Sequence, residues 1–391
     1  MKRFVAILLI SILVFSLTAC KDKGEMQPQD SSQEASSALE SSAASGTETS
    51  SDKPTTENDT SSTEKPSSVS SKPTQSNTVV EENFDYTPTL DYYRLPADAD
   101  KYLNSAAGGV TGNLDLYKRM VKAYLNYETK VKMKENESPF SVLNMLRFHC
   151  PVFFADTKIE VDFAADLETV NIKYTTKSKS EHNKIIKKFE DAVKPIISGL
   201  SNATDTEKAL VSYYRYTKDL YYDERLLDPN LSWTYLYYED NIRYDEGYQA
   251  LVNKKGVCSS FTIAYNFILA QLGIDSYGIF AEGKTEGHAW NMMKLNGKWY
   301  FADPTFDGDW PDGDNSITNF GVTTQQRVLL GYNPEYYRVC NLDGKFNGYT
   351  VKDLRFAALT QGAFRPEFDL ENHTMVYYDK KGNKQKVFDI S

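Results

Sequence analysis

The sequence predicts an α+β domain in which a helix headed by Cys258 packs on an antiparallel sheet, behind a long N-terminal linker without regular structure. Three observations lead there. No Phe, Trp or Tyr occurs between Lys21 and Asn83, so 49 of the 51 aromatics fall in residues 84–391. Across that span, runs with helical apolar spacing are interleaved with runs that alternate like strands. Near its middle, Asn296-Gly297 separates two alternating runs, which is the strongest short-range signal for a hairpin.

Composition narrows the classes. The 391 residues carry 44 basic and 54 acidic side chains, a net charge of −10, and the pI is near 5.1. Such a balance argues against a nucleic-acid partner, which needs concentrated Lys and Arg. Four cysteines exclude a disulfide-dense scaffold, and four histidines argue against a multi-His metal site. Neither a metal nor a cofactor is expected.

The first segment, residues 1–19, reads as an export signal. Lys2 and Arg3 precede an apolar run from Phe4 to Leu17. As a helix that run rises about 21 Å, short of the roughly 30 Å hydrocarbon core of a membrane. Leu17-Thr18-Ala19-Cys20 resembles the lipobox of bacterial lipoproteins. The resemblance implies cleavage before Cys20, lipidation of its thiol, and a mature protein tethered to the extracytoplasmic face of a bacterial cell membrane. Residues 20–83 then form the linker: positions 31–80 hold 16 Ser and 8 Thr. Such a stretch cannot bury enough apolar area to offset its ordering entropy. As a flexible coil it spans on the order of 40 Å, enough to let a folded head work away from a lipid surface.

Residues 84–203 form an N-terminal α+β portion. Leu116, Met120, Val121, Tyr124 and Leu125 mark a helix over Leu114–Tyr127. Ile159, Val161 and Phe163, then Val170, Ile172 and Tyr174, alternate as two strands over 157–163 and 168–175. Lys179–Leu200 is a charged amphipathic helix with Pro195 inside it. Residues 204–391 form the second portion. It opens with Thr204-Asp205-Thr206-Glu207, a capping box for a Tyr-rich helix running to about Tyr222. Val322–Leu330 reads as a short strand leading into a helix. The stretch from Gly331 to Pro366 has a weak pattern of loops and short elements. Thr374–Tyr378 and Gln385–Phe388 flank a Gly382-Asn383 turn as a final hairpin. Gly108-Gly109-Val110-Thr111-Gly112 is not a phosphate loop, because no Gly-Lys-Ser/Thr follows it.

The chemistry falls in Tyr248–Asp303. After Gly256-Val257-Cys258, the residues Cys258, Phe261, Tyr265, Ile268 and Leu272 share one helical face, and Gly273 stops the helix. The thiol therefore sits on the first turn, where unpaired N–H groups and the helix dipole favour an anion and can also bind a developing oxyanion. In the hairpin, pairing Leu295 with Lys298 sets the register. Trp290 then lies opposite Asp303, Met292 opposite Phe301, and His288 opposite Thr305. On this register His288, Trp290, Met292, Trp299, Phe301 and Asp303 project to one side, with His288 and Asp303 diagonal neighbours able to hydrogen-bond. The helix after Cys258 is expected to cover that face, which brings the thiol to His288 Nδ1 or Nε2. The result is a Cys–His–Asp set: nucleophile, base, and the group that orients the base.

Gly256-Val257-Cys258, Gly287-His288-Ala289-Trp290-Asn291 and Trp299-Tyr300-Phe301-Ala302-Asp303-Pro304-Thr305 together resemble the core of the transglutaminase-like superfamily, over about residues 204–330. The resemblance implies a papain-like α+β core with Cys258 as nucleophile, His288 as general base and Asp303 as its partner. It also implies an acyl-transfer activity on a peptide or protein amide, cell-wall peptide included, through a Cys258 thioester that water or an amine resolves; the lipobox resemblance adds the membrane anchor. The competing class is a non-catalytic module on the same fold that binds cell-wall peptide or glycan. The second oxyanion donor is less portable. Gln249, nine residues before Cys258 and not at a clearly matching spacing, is one candidate, with Trp233 or a nearby Tyr as the alternative. Trp290 and Trp233 are candidates for lining a substrate groove, and the Tyr-rich stretches for amphipathic packing.

Other polar residues have blander readings. Cys150 and Cys340 fit a disulfide or two buried thiols equally well. His149 reads as structural; His182 and His373 fall in polar segments expected to be exposed. Asp307–Asp314 has Asp at the first and third places of a calcium loop. Its next carboxylate and glycine come one place late, so it reads as an acidic, turn-rich rim beside the triad.

Overall fold

Asn296 and Gly297 both take positive φ, 48° and 78°, as a type I′ turn requires. The strands they join run in the register that turn dictates, with Leu295 opposite Lys298, Met293 opposite Tyr300 and Met292 opposite Phe301. The first strand of this hairpin is the middle strand of the largest sheet among the described residues. The computed structural model describes residues 83–104, 111–161, 169–227, 247–283, 287–308, 315–339, 350–385 and 387–391. Cys20, the lipobox, the linker up to Glu82, Trp233 and Cys340 lie outside the described residues.

In chain order the first elements are α1 (Asp100–Leu103), α2 (Asn113–Leu125), β1 (Lys130–Lys132), α3 (Pro139–His149), β2 (Thr157–Val161), β3 (Thr169–Tyr174) and α4 (Lys179–Ile197). Next come α5 (Asp205–Thr217), β4 (Tyr221–Tyr222), α6 (Gly247–Val252), β5 (Lys255–Gly256) and α7 (Cys258–Gln271). The sheet strands and their neighbours follow: β6 (Ser276–Glu282), β7 (Gly287–Leu295), β8 (Lys298–Ala302), α8 (Pro304–Asp307), β9 (Phe320–Val322) and α9 (Thr324–Leu329). The chain ends with β10 (Arg338–Val339), β11 (Phe364–Asp369), β12 (Thr374–Tyr378) and β13 (Phe388–Asp389). Among the described residues the largest sheet has five antiparallel strands in the order β10-β6-β7-β8-β9. The α+β class and the helix-on-sheet arrangement are those the sequence predicts.

Several elements end where local chemistry ends them. The Thr204–Glu207 capping box opens α5, and Ser178 accepts from the Glu181 N–H at the start of α4. The α5 helix stops at Thr217 rather than near Tyr222. Tyr221 and Tyr222 instead pair in parallel with Lys255 and Gly256, and the Asp223 N–H donates to the Gly256 carbonyl. That bridge ties the residues just before Cys258 to the end of α5. The C-terminal hairpin is present as β12 and β13, but β11 adds a third strand at its other edge. Pro366 hid that strand, because a proline in an alternating run argues against a sheet position. Here the ladder shifts register between Phe364 and Glu367, and Arg365 takes φ 48°, so a bulge accommodates the ring.

The two faces of the hairpin are covered by different partners, which corrects one expectation. Trp290, Met292 and Phe301 pack with Tyr277, Tyr332, Tyr337, Val339 and Val351. Apart from Ile263, which joins that cluster, the α7 helix packs on the opposite face, where Met293, Leu295, Tyr300 and Ala302 join Phe261, Tyr265, Ile268 and Leu269 in the larger core. Asn291 on that face donates to the Thr262 carbonyl of α7 at 2.9 Å. The amphipathic stripe expected of α7 is absent for the same reason. Twelve of its fourteen residues are buried, because α3, α5, α6 and the sheet surround it. The larger of the two cores draws residues from Tyr92 to Ile390.

Candidate active site

Cys258 is the first residue of α7, 5% exposed. Its backbone entry is constrained: the Val257 N–H donates to Ser260 Oγ at 3.2 Å, which fixes the first turn. Gly256 allows that closeness, since a Cβ there would fall 2.6 Å from Ser260 Cβ. His288 lies near the start of β7, also 5% exposed, and Asp303 immediately follows β8 as the N-cap of α8. His288 Nε2 is 2.7 Å from Asp303 Oδ2, the hydrogen bond that the hairpin register leads one to expect. Cys258 lies close enough to the same imidazole to help raise its pKa, and with Nε2 committed to Asp303, Nδ1 is the nitrogen left to it. The structure thus brings the three residues together although 45 positions separate the first from the last.

The electrostatics follow from burial and pairing. Burial alone would pull the His288 pKa down, but the Asp303 charge and hydrogen bond, aided by Cys258, outweigh it and raise it to about 10. The imidazole therefore carries its proton at neutral pH. Burial alone would raise the Asp303 carboxyl; His288 and Arg327 outweigh it and hold it at about 2. Phe306 and Tyr332 flank the imidazole, with ring centroids 5.0 Å and 5.5 Å from it. Phe306 is 41% exposed, so it forms an aromatic edge of the site that reaches solvent.

Arg327 is the residue that sequence reasoning missed. It is 1% exposed, and its Nη1 lies 2.7 Å from Asp303 Oδ2 as an ion pair. Its guanidinium carbon stands 5.0 Å from the centroid of the Trp290 ring, a cation–π contact. The only local signal was its place inside α9, just after the Thr323–Gln326 capping box, which says nothing about its partner.

Asp303 is held from several sides. Its N–H donates to the Asn319 carbonyl, its Oδ1 accepts from the Thr305 N–H at 3.1 Å, and its carbonyl lies 2.8 Å from the Tyr213 hydroxyl. Asp307 supports that loop. It is 1% exposed and accepts from Tyr213 Oη, Ser316 Oγ, Thr318 N and Asn319 N. Burial raises its pKa, against these donors. The opening residue of the acidic stretch is thus turned inward and saturated by protein donors, not presented at an open rim or to a calcium ion. Residues 309–314 lie outside the described set.

Of the other candidates, Trp290 and His182 are placed differently from expectation, while His149 and His373 are where the sequence puts them. Trp290 is fully buried between Tyr332, Tyr337, Phe301 and Arg327. It is a floor beneath the imidazole, not a groove wall, because the cover of its face comes from the chain after α9. Gln249 is buried in α6, and its Oε1 accepts from Asn253 Nδ2 one turn later. Cys150 is a free buried thiol, not a half-cystine, and burial pushes its pKa up. His149 is buried and pulled down to about 3, so it is a neutral core residue. His182, expected at the surface, is fully buried. Its Nδ1 lies 2.7 Å from Asp156 and its Nε2 2.8 Å from the Tyr124 carbonyl. His373 is half-exposed and paired with Glu207 at 2.8 Å.

A helix-borne thiol on an imidazole that a carboxylate holds, set between a buried helix and an antiparallel sheet, is the arrangement of a papain-like thiol site. Comparison with known proteins narrows this: residues 190–304 match the family model of the transglutaminase-like superfamily, and the chain carries a transglutaminase-like domain there. Among solved structures, the chain is similar to that of a TGase at 12% identity and TM-score 0.28, covering 45% of this chain and 48% of that one. It is also similar to a candidate cysteine protease from Cytophaga hutchinsonii at 12% identity and TM-score 0.22, covering 35% and 51%. The chain spans about half the length of each. No curated protein matches it.

Proposed function

We propose that the protein is a cysteine acyl-transfer enzyme, anchored by a lipidated Cys20 on the extracytoplasmic face of a bacterial membrane and acting on peptide or protein amides. The observation that carries the chemistry is the hydrogen bond between His288 and Asp303, with Cys258 at the head of α7 acting on the same imidazole. The sulfur attacks the amide carbonyl carbon; a C–S bond forms and the carbonyl electrons move onto oxygen, facing the N–H groups of the first turn of α7. As the tetrahedral adduct collapses, the C–N bond breaks and the leaving nitrogen takes the proton that the imidazolium holds. The thioester is then resolved by water or by an amine, whose proton returns to the imidazole. Water makes the protein a peptidase or amidase; an amine makes it a cross-linker. Anchoring rests on the Leu17–Cys20 resemblance and on the Ser/Thr-rich linker that follows.

The test is to incubate the full chain with a peptide mixture, with and without a primary amine, and compare it with Cys258→Ala by mass spectrometry. Hydrolysed or amine-adducted peptides formed only by the parent protein are the expected result. Identical product lists from both proteins would remove the enzymatic reading and leave a binding module.

A further inference from the structure

We infer that Arg327 is a positioning residue: it is the permanent counter-ion of Asp303, which lets His288 release its proton without leaving a buried carboxylate unpaired. The inference rests on the acyl-transfer reading above. Its basis is that one oxygen, Asp303 Oδ2, meets two cationic nitrogens, His288 Nε2 at 2.7 Å and Arg327 Nη1 at 2.7 Å. An oriented His–carboxylate pair needs only one of them. The second is an arginine that is 1% exposed, has its guanidinium carbon 5.0 Å from the centroid of the Trp290 ring, and has none of its three nitrogens in a hydrogen bond among the described residues, its contact with Asp303 being an ion pair. Burying a guanidinium so incompletely satisfied is costly, and the charge it opposes is that of Asp303.

The charge states of the proposed cycle show what this contact does. With neutral thiol and imidazole, Asp303 and Arg327 cancel. With thiolate and imidazolium, two ion pairs stand side by side. After the leaving nitrogen has taken the proton, the sulfur is acylated and the imidazole neutral, so Asp303 and Arg327 again cancel. Arg327 keeps the buried site neutral in each state. Without it, every state with a neutral imidazole holds a bare carboxylate, and His288 would retain its proton more strongly. The groups facing the pair are Cys258 from α7, Arg327 from α9, Tyr332 beyond α9, and Tyr213 from α5 with Asp307 behind it. Among these described groups, Arg327 is the only cation besides His288.

The size of the effect follows from the geometry. Two nitrogens each 2.7 Å from one oxygen are no more than twice that distance apart. At an effective dielectric of about 20, the repulsion lost on removing one charge moves the other's titration by on the order of two pH units. The experiment uses the full chain carrying Cys258→Ala, with ¹⁵N-labelled histidine, and follows the imidazole signals by NMR against pH. The His288 signal is identified by its loss in His288→Gln. In this background Arg327→Met is expected to raise the His288 midpoint by about one unit or more, and Arg327→Lys to keep it close to the parent. An unchanged midpoint in Arg327→Met overturns the inference. So does an equal shift in Arg327→Lys, which would assign the effect to packing on Trp290. Should Arg327→Met fail to fold by circular dichroism, Arg327→Gln is the charge-removing variant with the same two outcomes. The titration needs no turnover, so it can fail while Cys258-dependent product formation succeeds, and the reverse.

Discussion

Gly256→Ala tests how the chain aims Cys258. The added Cβ would stand 2.6 Å from Ser260 Cβ and 2.7 Å from Ser260 Oγ, against about 3.5–4.0 Å for a relaxed carbon contact. Rotating the hydroxyl does not relieve it, because Ser260 Cβ is fixed by the backbone of α7. Nor can the strand side yield easily, since the Gly256 carbonyl accepts from the Asp223 N–H at 2.9 Å and Gly256 pairs with Tyr222. One of the two must move by about 1 Å, at a cost of about 1–3 kcal/mol in stability. Cys258 lies between them and moves too. A misplacement of about that size reduces reaction rates by up to about 100-fold. The assay is urea unfolding together with the rate of Cys258 alkylation by iodoacetamide at about pH 6, where an ordinary thiol of pKa roughly 8.5 hardly reacts. A variant with parental stability and parental labelling rate would refute the claim that this contact sets the nucleophile.

Two further outcomes are expected. Tyr213→Phe removes the hydroxyl that lies 2.7 Å from Asp307 Oδ2 and 2.8 Å from the Asp303 carbonyl, and should lower stability in urea by about 1–2 kcal/mol; no loss would show that the loop at 315–319 does not depend on it. The Glu190 carboxyl is raised by burial but more strongly lowered by its Thr89, Tyr86 and Leu90 donors, to about 2 against an ordinary 4.5. A depressed folded pKa gives stability that is complete above about pH 4.5 and lost as the pH falls towards 2. Glu190→Gln should therefore flatten the acid-unfolding curve in that window, and an unchanged curve monitored by tyrosine fluorescence would count against it.

What the sequence discloses here is local, and what it hides depends on how distant segments dock. The hairpin register could be read because Asn296-Gly297 admits few turn types and side-chain alternation does the rest. The Thr204–Glu207 cap was legible for a similar reason: all its partners lie within one turn. The cover of each sheet face was not. Both faces of the hairpin carry large apolar residues, so periodicity offers α7 no preference between them. The decision falls to Tyr332, Tyr337 and Val339, a stretch with no pattern of its own. His182 was misplaced in the same way. Its neighbours Lys179, Glu181 and Lys184 suggest a solvated helix face, yet its own face of α4 turns to Tyr124 and Asp156.

The site shows the same division. Cys258, His288 and Asp303 were found because each sits at the end of an element whose position the sequence defines. Arg327 and Asp307 act through contacts that no spacing rule predicts. Yet they bear on the feature the chemistry needs most, a carboxylate that stays ionised and does not move. Asp303 has its side chain divided between His288, Arg327 and the Thr305 N–H, and its backbone held by Asn319 and Tyr213. Asn319 and Tyr213 are themselves tied to Asp307. The acidic run beginning at Asp307 therefore contributes, at its first residue, a buried acceptor that collects four separate residues around the site's carboxylate. Its charge is spent inside the protein, holding the loop whose carbonyl fixes Asp303.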